Sequence, residues 1–436
     1  MSEPETRTRN PLKRLSTFRR GFVSTFSLDL VGRGLSALAT IAFVRSLGVG
    51  DFAYLVLFLN IGQFAGSALT GGIRMRYMRT EAERVSRGDA IATGFAPAMT
   101  ASMALILGVA ALALAGVTVV NTGGSTDARW LFVCLTAAYT AANAAVELGI
   151  FHFQAHLRFT RAGVIGVARG AAMMAVALAA TAGIVERGEV AAAAVTITLL
   201  LVGAVVCAPL LREAFSLPRS RQSRDEFGRE STWLTVYYLA SAGFAYADIF
   251  IVAAFLNDEA VSSYGASLRY IAIILGPLPA LLAVMRVRTS QKDVVDSADR
   301  QVDLLGRWIR KSGLPVTAII ASAAIAAPFV IPLVDGGRYP DSVPIFEFML
   351  LPALVNYLTL PGPSLLMTQR RYRLMAGLYA GALILQLTAA GGVATFSGVV
   401  AVAAVASVVG AIEAAVVTFV ASRLARRAAA APAPGA

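Results

Sequence analysis

Residues 45–79 read RSLGVGDFAYLVLFLNIGQFAGSALTGGIRMRYMR. A short turn at 48–50 leads into an apolar run over 51–73 whose only charge is Asp51 at its start, and the run ends on Arg74, Arg76 and Arg79. That length matches the roughly 20 residues a helix needs to cross a bilayer. The period-2 alternation of a membrane barrel strand is missing, and a lone strand in lipid could not pair its backbone. The stretch reads as a transmembrane helix with a short loop at one end and a basic flank at the other.

The rest of the chain repeats this pattern. Its 436 residues are 57% hydrophobic and 15% charged, with a mean hydropathy of +0.68, which excludes an ordinary soluble domain. Windows of about 19 residues predict twelve spans, at 21–46, 51–73, 91–120, 129–152, 162–185, 189–211, 231–256, 261–285, 313–334, 342–367, 372–393 and 397–422. The expected fold class is an all-α polytopic membrane protein.

Orientation follows from the basic residues. Of 38 Lys and Arg, 31 fall in the tails and in the loops after spans 2, 4, 6, 8 and 10, whereas the other five loops hold only Arg45, Arg129, Arg187 and Arg338. Both termini are therefore expected in the cytoplasm. The net charge of +12 and the pI near 10.1 then need no nucleic acid to explain them. Stretches such as 74–88 and 217–230 read as cytoplasmic loops beside anionic lipid. The first 20 residues are polar and basic, and no small-residue cleavage site follows the first apolar run, so they read as a retained tail rather than a signal peptide.

Several chemistries find no support. Cys134 and Cys207 stand alone within apolar runs and read as small buried hydrophobes. No G-x-x-x-x-G-K-[ST] occurs, and Lys13, Lys292 and Lys311 lack glycine-rich surroundings, so no ATP-driven step and no cofactor is expected. His152 and His156 are four residues apart, but no third ligand accompanies them, so no metal site is expected. The short outer loops leave little room for an external catalytic domain.

The linker at 212–230 divides the spans six and six. On that basis 1–20 is a tail, 21–211 an N-lobe with helices 1–6, 231–422 a C-lobe with helices 7–12, and 423–436 a second tail. The starts of the halves share a pattern: VRSLGVGDFAYLVL (44–57) and AAFLNDEAVSSYGAS (253–267) have in common a Leu, turn residues, an acid and a Tyr. Paired halves of six spans suggest a transporter whose site lies between two bundles.

The turn at 45–79 resembles the opening of Wzx-type polysaccharide flippases of the MOP superfamily, in which a Leu-Gly plus acid-aromatic turn joins the first two spans. The stretch 247–283, ADIFIVAAFLNDEAVSSYGASLRYIAIILGPLPALLA, is similar to that family's Asp-apolar run, loop and small-residue span with a basic position. Residues 331–375 resemble its Gly-x-x-Tyr loop, Asn-containing span and basic turn, here with Gly-Arg-Tyr in place of the commoner Gly-acid-Tyr. The resemblance spans nearly all of 20–422. It implies a two-lobed, MATE-like bundle around a central cavity and a bacterial cytoplasmic-membrane location. It also implies a polyprenyl-pyrophosphate-linked glycan as cargo, its sugar head passing through a hydrophilic lumen while the lipid tail stays in the membrane. A polysaccharide polymerase is the candidate protein partner, and a monomer with its own lumen suffices.

Three arginines, Arg33, Arg169 and Arg269, belong to no loop. An arginine at the bilayer centre costs about 2.5–3.5 kcal/mol on insertion scales, so these are expected to face protein or a watery cavity. Asp29 and Arg33 are i and i+4 on one face, which allows either mutual neutralisation or a cavity pair in which Asp29 moderates an anion held by Arg33. Asp248 and Arg269 fall at similar depth on adjacent helices, which allows either a salt bridge between them or a place for both in the cavity. Arg33, Arg169, Arg269, Asp29 and Asp248 are thus the candidate substrate-binding residues, since guanidinium groups offer bidentate recognition of phosphate.

Glu147 and Glu413 are lone intramembrane acids and the candidates for ion coupling, each equally able to bond a neighbouring helix. Asn60, Gln63, Asn143, Tyr237, Tyr238, Tyr246 and Asn356 could bond sugars or join helices. Pro277, Pro279, Pro352, Pro361 and Pro363 are expected to break or kink their helices.

The expected activity is a secondary flippase with no enzymatic step. A MATE-like exporter of organic cations is the first alternative and predicts a cavity dominated by acids. A polysaccharide polymerase is the second and predicts a sizeable external loop. A lipid II flippase is expected to carry further C-terminal spans, where this chain reads RLARRAAAAPAPGA.

Overall fold

The computed structural model describes residues 11–87, 94–119, 126–156, 158–216, 229–278, 281–282, 285 and 298–430. They form thirteen helices and no strand. In chain order these are α1 (Pro11–Ser46), α2 (Val49–Arg87), α3 (Phe95–Val119), α4 (Thr126–Ala155), α5 (Phe159–Thr181), α6 (Gly188–Ser216), α7 (Arg229–Phe255), α8 (Asp258–Ile274), α9 (Ala298–Asp335), α10 (Ser342–Thr359), α11 (Pro361–Thr368), α12 (Tyr372–Ala394) and α13 (Val399–Ala430). Ten of them, all but α1, α8 and the short α11, are long and apolar enough among the described residues to cross a membrane. The chain is a multi-pass membrane protein.

Each of the twelve predicted spans contains helix among the described residues, with three main differences. The helix that begins at 49 does not stop at Arg74 but runs to Arg87, so most of the stretch read as a loop at 74–88 is helical. Arg and Glu are good helix formers, and charge alone does not unwind a helix that leaves the membrane. The predicted span 342–367 is two helices meeting at Leu360. Pro361 supplies no backbone N–H and opens α11, whereas Pro352 stays inside α10. Third, α8 ends at Ile274, three residues before Pro277, with a turn at 275–277 inside the predicted span; part of its continuation to 285 and most of the linker 212–230 lie outside the described residues.

Local chemistry fixes the helix ends. The Asn257 side chain accepts from the Ala260 N–H at 2.9 Å and caps α8, with Asp258 and Glu259 in its first turn. The α9–α10 turn places Gly336 and Gly337 at φ 69° and 71°, where a Cβ is strained.

The first six helices pair as α1 with α5, α2 with α4, α3 with α4, α4 with α6, and α5 with α6. The same five pairings recur one set later: α7 with α12, α8 with α10, α9 with α10, α10 with α13, and α12 with α13. The sets meet mainly along α2, which touches α7 and α8, with α1 against α8. Helix ends at one face carry most of the arginine, and we term it the basic face; the other is the short-loop face.

The α1–α5 seam is made by backbone. A Cβ on Gly32 would lie 2.6 Å from the Gly166 carbonyl oxygen, and one on Gly170 would run into the Gly32 carbonyl. Where lipid removes the hydrophobic drive for association, such close approach supplies the packing.

At the short-loop face, two arginines join the sets. Arg45, at the end of α1, donates from Nε to the Val334 carbonyl at 2.6 Å and from Nη2 to that of Leu333 at 2.5 Å, at the end of α9. Arg338, just past α9, donates from Nη1 to the carbonyls of Arg45 at 2.9 Å and Leu47 at 3.3 Å. Each helix end is thus capped by an arginine from the other chain segment, in the favourable direction for the helix dipole. The Ser262 hydroxyl donates to the Val49 carbonyl at 2.7 Å, and Phe52 stacks obliquely on Tyr339 at 5.8 Å. Arg338→Ala is expected to cost about 1 kcal/mol, read as a fall of a few degrees in the thermal midpoint of the detergent-solubilised protein.

Candidate functional site

Two of the predicted arginines reach the same place from opposite faces. Arg169 is ten residues into α5 from the basic face and Arg269 eleven into α8 from the short-loop face, which at 1.5 Å per residue puts each about 15 Å deep. Half of a hydrocarbon layer is also about 15 Å, so both stand at mid-depth, one from each set of six. Tyr139 of α4 and Tyr246 of α7 are within electrostatic reach of both guanidiniums, and the guanidiniums of each other.

The surroundings of the two differ. Arg169 Nη1 donates to Glu147 Oε1 at 2.9 Å. Glu147 Oε2 also pairs with Arg74 Nη1 at 3.5 Å. Arg74 is only 7% exposed, and its guanidinium lies 5.7 Å from the centre of the Phe151 ring. Glu147 and Phe151 are i and i+4 on α4, so one face of that helix receives Arg74. Arg269 has no such acid, and its buried Nη2 finds no hydrogen-bond partner among the described residues.

Of the two readings for Asp248, the bridge to Arg269 does not form. Its Oδ2 accepts the Tyr264 hydroxyl at 2.6 Å and its Oδ1 the Ile249 N–H at 2.8 Å. The reason is angular: Tyr264 and Arg269 are five residues apart on α8, about 140° around the helix, so one faces Asp248 on α7 while the other faces the seam.

Arg33 follows Gly32 at the α1–α5 crossing, and Arg169 precedes Gly170. The two helices run parallel, so a residue one step after a facing glycine and one a step before its counterpart emerge on the same side. That side is toward α8: the Arg33 Cδ lies 3.9 Å from where a Gly276 Cβ would stand. Asp29 is in α1, but its side chain lies outside the described residues, as does any Asp29–Arg33 pair.

The remaining polar groups are mostly engaged. Tyr246 donates to Gln63 Oε1 at 3.3 Å, joining α7 to α2. Glu413 of α13 is hydrogen-bonded by Tyr379 of α12, and its Oε1 has no partner among the described residues. His152 Nδ1 meets the Tyr77 hydroxyl at 2.6 Å and His156 Nε2 meets Glu81 Oε1 at 3.0 Å, so each imidazole has its own partner on α2. Cys207 is buried, whereas Cys134 is exposed, contrary to its reading as a buried hydrophobe; the α4 surface it occupies is apolar.

Arg74 escaped the sequence reading altogether. It was counted with a loop, and only the run of helix through it, with Met75 and Tyr77 flanking it, signals that it belongs to the bundle.

No protein-family model matches the sequence, and no curated protein matches it. Solved structures do share its shape. A MATE protein in complex with MaL6 superposes with a TM-score of 0.69 at 14% identity, covering 94% of this chain and 97% of that one. A MOP superfamily transporter from Pyrococcus furiosus, described by a binding pocket of reverse polarity that suggests a different function, gives 0.68 at 13% identity over 95% and 97%. An outward-facing multidrug resistance MATE family transporter gives 0.65 at 14% over 94% and 96%. The chain shares the fold of these transporters.

Proposed function

We propose that this chain is a flippase of the MOP fold that carries a polyprenyl-pyrophosphate-linked oligosaccharide from the inner to the outer leaflet of a bacterial cytoplasmic membrane. The observation that carries the reading is Arg269: a guanidinium at mid-depth, without an acid, whose Nη2 is buried and unbonded among the described residues. Burying an unpaired cation costs several kcal/mol, and an anion arriving between Arg269 and Arg169 repays it. A pyrophosphate offers paired oxygens in the geometry that guanidinium recognises.

In this reading the basic face is cytoplasmic, both termini lie there, and the capped short-loop face is the outer one. The sugar head enters the seam between the two sets of six and the polyprenyl tail stays in lipid. Movement alternates access to the seam, driven by an ion gradient, the membrane potential or consumption of the product outside. Glu413, with one carboxylate oxygen unbonded among the described residues, is the candidate for ion coupling. A polysaccharide polymerase would take the product.

Export of an organic cation is the competing reading on this fold. It calls for an excess of carboxylate at the seam, whereas here Glu147 is shared by Arg74 and Arg169, and Arg269 adds a further guanidinium within electrostatic reach of Arg169. The Pyrococcus furiosus transporter, with its pocket of reverse polarity, is a precedent for a change of sign within the fold.

The test is mass spectrometry of polyprenyl-linked saccharides from cells lacking the protein, with sidedness read by a membrane-impermeant reagent. A complete repeat unit accumulating on the cytoplasmic leaflet is the expected result. No accumulation turns the reading to cation export, and accumulation on the outer leaflet turns it to the polymerase.

A further inference from the structure

Glu147 holds two arginines unequally, and the inequality has a use. We infer that Glu147 is an internal counter-ion: it occupies Arg169 in the substrate-free protein and is handed to Arg74 when a phosphate oxygen of the cargo takes Arg169. The inference rests on the anionic cargo proposed above and assigns to that site the device that makes binding reversible.

Three features support the hand-over. The contact to Arg169 is a direct hydrogen bond of 2.9 Å, while that to Arg74 is a looser pair of 3.5 Å. The two use different carboxylate oxygens, so Glu147 can tighten on one partner as it leaves the other. Arg74 also has capacity to spare, since its buried Nε finds no hydrogen-bond partner among the described residues. The ring of Phe151 meanwhile keeps its guanidinium beside Glu147.

The energetics favour exchange over simple displacement. If Arg169 were the only partner, a phosphate binding there would strand a carboxylate within the membrane, at a cost of several kcal/mol. With Arg74 in reach the carboxylate is paired before and after. All three residues sit on α2, α4 and α5, within one set of six, so the exchange needs no movement of that set against the other. Depth gives it direction: Arg74 lies closer to the basic face than Arg169, so the carboxylate retreats toward that face as the anion settles at mid-depth. Release runs in reverse, with Glu147 competing for Arg169.

The experiment uses the purified full-length protein in lipid nanodiscs with inorganic pyrophosphate as the probe and calorimetry as the readout. Glu147→Gln removes the competitor and is expected to tighten pyrophosphate binding about tenfold or more, while slowing export in cells. Arg74→Gln leaves Glu147 committed to Arg169 and is expected to weaken pyrophosphate binding by a similar factor. Glu147→Asp, which keeps the charge, is expected to stay near wild type. A residue that only stabilises the bundle would move both neutral variants in the same direction. Unchanged or weaker binding by Glu147→Gln, or undiminished binding by Arg74→Gln, overturns the exchange; if one variant fails to reach the membrane, the other alone decides. Wild-type protein that does not bind pyrophosphate overturns it as well. Failure of the reading beneath it would look different: opposite shifts in the two variants, with no lipid-linked saccharide accumulating in cells that lack the protein, would keep the exchange and change the cargo.

Discussion

Arg269→Ala is expected to abolish export of the lipid-linked glycan while the protein still assembles in the membrane at close to normal amounts. The two halves of that expectation have separate causes. Arg269 makes no ion pair and its Nη2 no hydrogen bond among the described residues, so its removal strands no partner and relieves a buried charge. The fold should therefore be as stable as before or more so. A charge-assisted bond to a phosphate is worth about 1.5–3 kcal/mol, so losing it should cut cargo binding about tenfold to a hundredfold. Arg269→Lys keeps the charge but not the planar fork, and should restore export only in part. Arg33→Ala is expected to lose export too, since Arg33 emerges on the same side of the α1–α5 seam. Normal export by Arg269→Ala, with the protein present in the membrane, would remove the anion site from the seam.

The second large effect is structural. Replacing Gly170 with leucine should prevent stable assembly, seen as loss of the monodisperse peak on size exclusion and of the protein from the membrane fraction. A Cβ there meets the Gly32 carbonyl oxygen and lies 3.1 Å from the Leu35 Cβ, and neither backbone can move aside without parting α1 from α5. Overpacking typically costs 1–3 kcal/mol, roughly, and a clash with backbone belongs at or above the upper end. Gly108→Leu is the matched control: nothing lies within 4 Å of the position its Cβ would take, and α3 is largely exposed there. It should be tolerated.

Much of the fold was legible because lipid imposes one rule on every span. An apolar run of twenty residues has to be a helix, and the runs stood clearly apart in this sequence. Proline marked a break at 361, where a new helix begins, and none at 352, which stays inside a continuous helix. Helix ends beyond the membrane were harder to read. Nothing in 74–87 distinguishes a loop from a helix that simply continues into water, and Arg74 was lost to that ambiguity.

The site was legible in its residue types and illegible in its pairs. Three arginines without loops pointed inward on energetic grounds, and Arg169 and Arg269 do come within electrostatic reach of each other. Which acid meets which base depends on angles between helices far apart in sequence. Glu147 is 22 residues from Arg169 and 73 from Arg74, and no spacing rule connects them. Asp248 went the other way: depth matched it to Arg269, but rotation about α8 gave it Tyr264.

The arginine clasp at the short-loop face draws every one of its acceptors from main chain: the carbonyls of residues 45, 47, 333 and 334. A main-chain carbonyl is present at every position of the chain, so this closure calls for no particular acid opposite either guanidinium. It is also indifferent to side-chain identity at the receiving positions. Mutational drift can rewrite 47, 333 and 334 without touching the clasp, and only the two arginines are exposed to selection on its account.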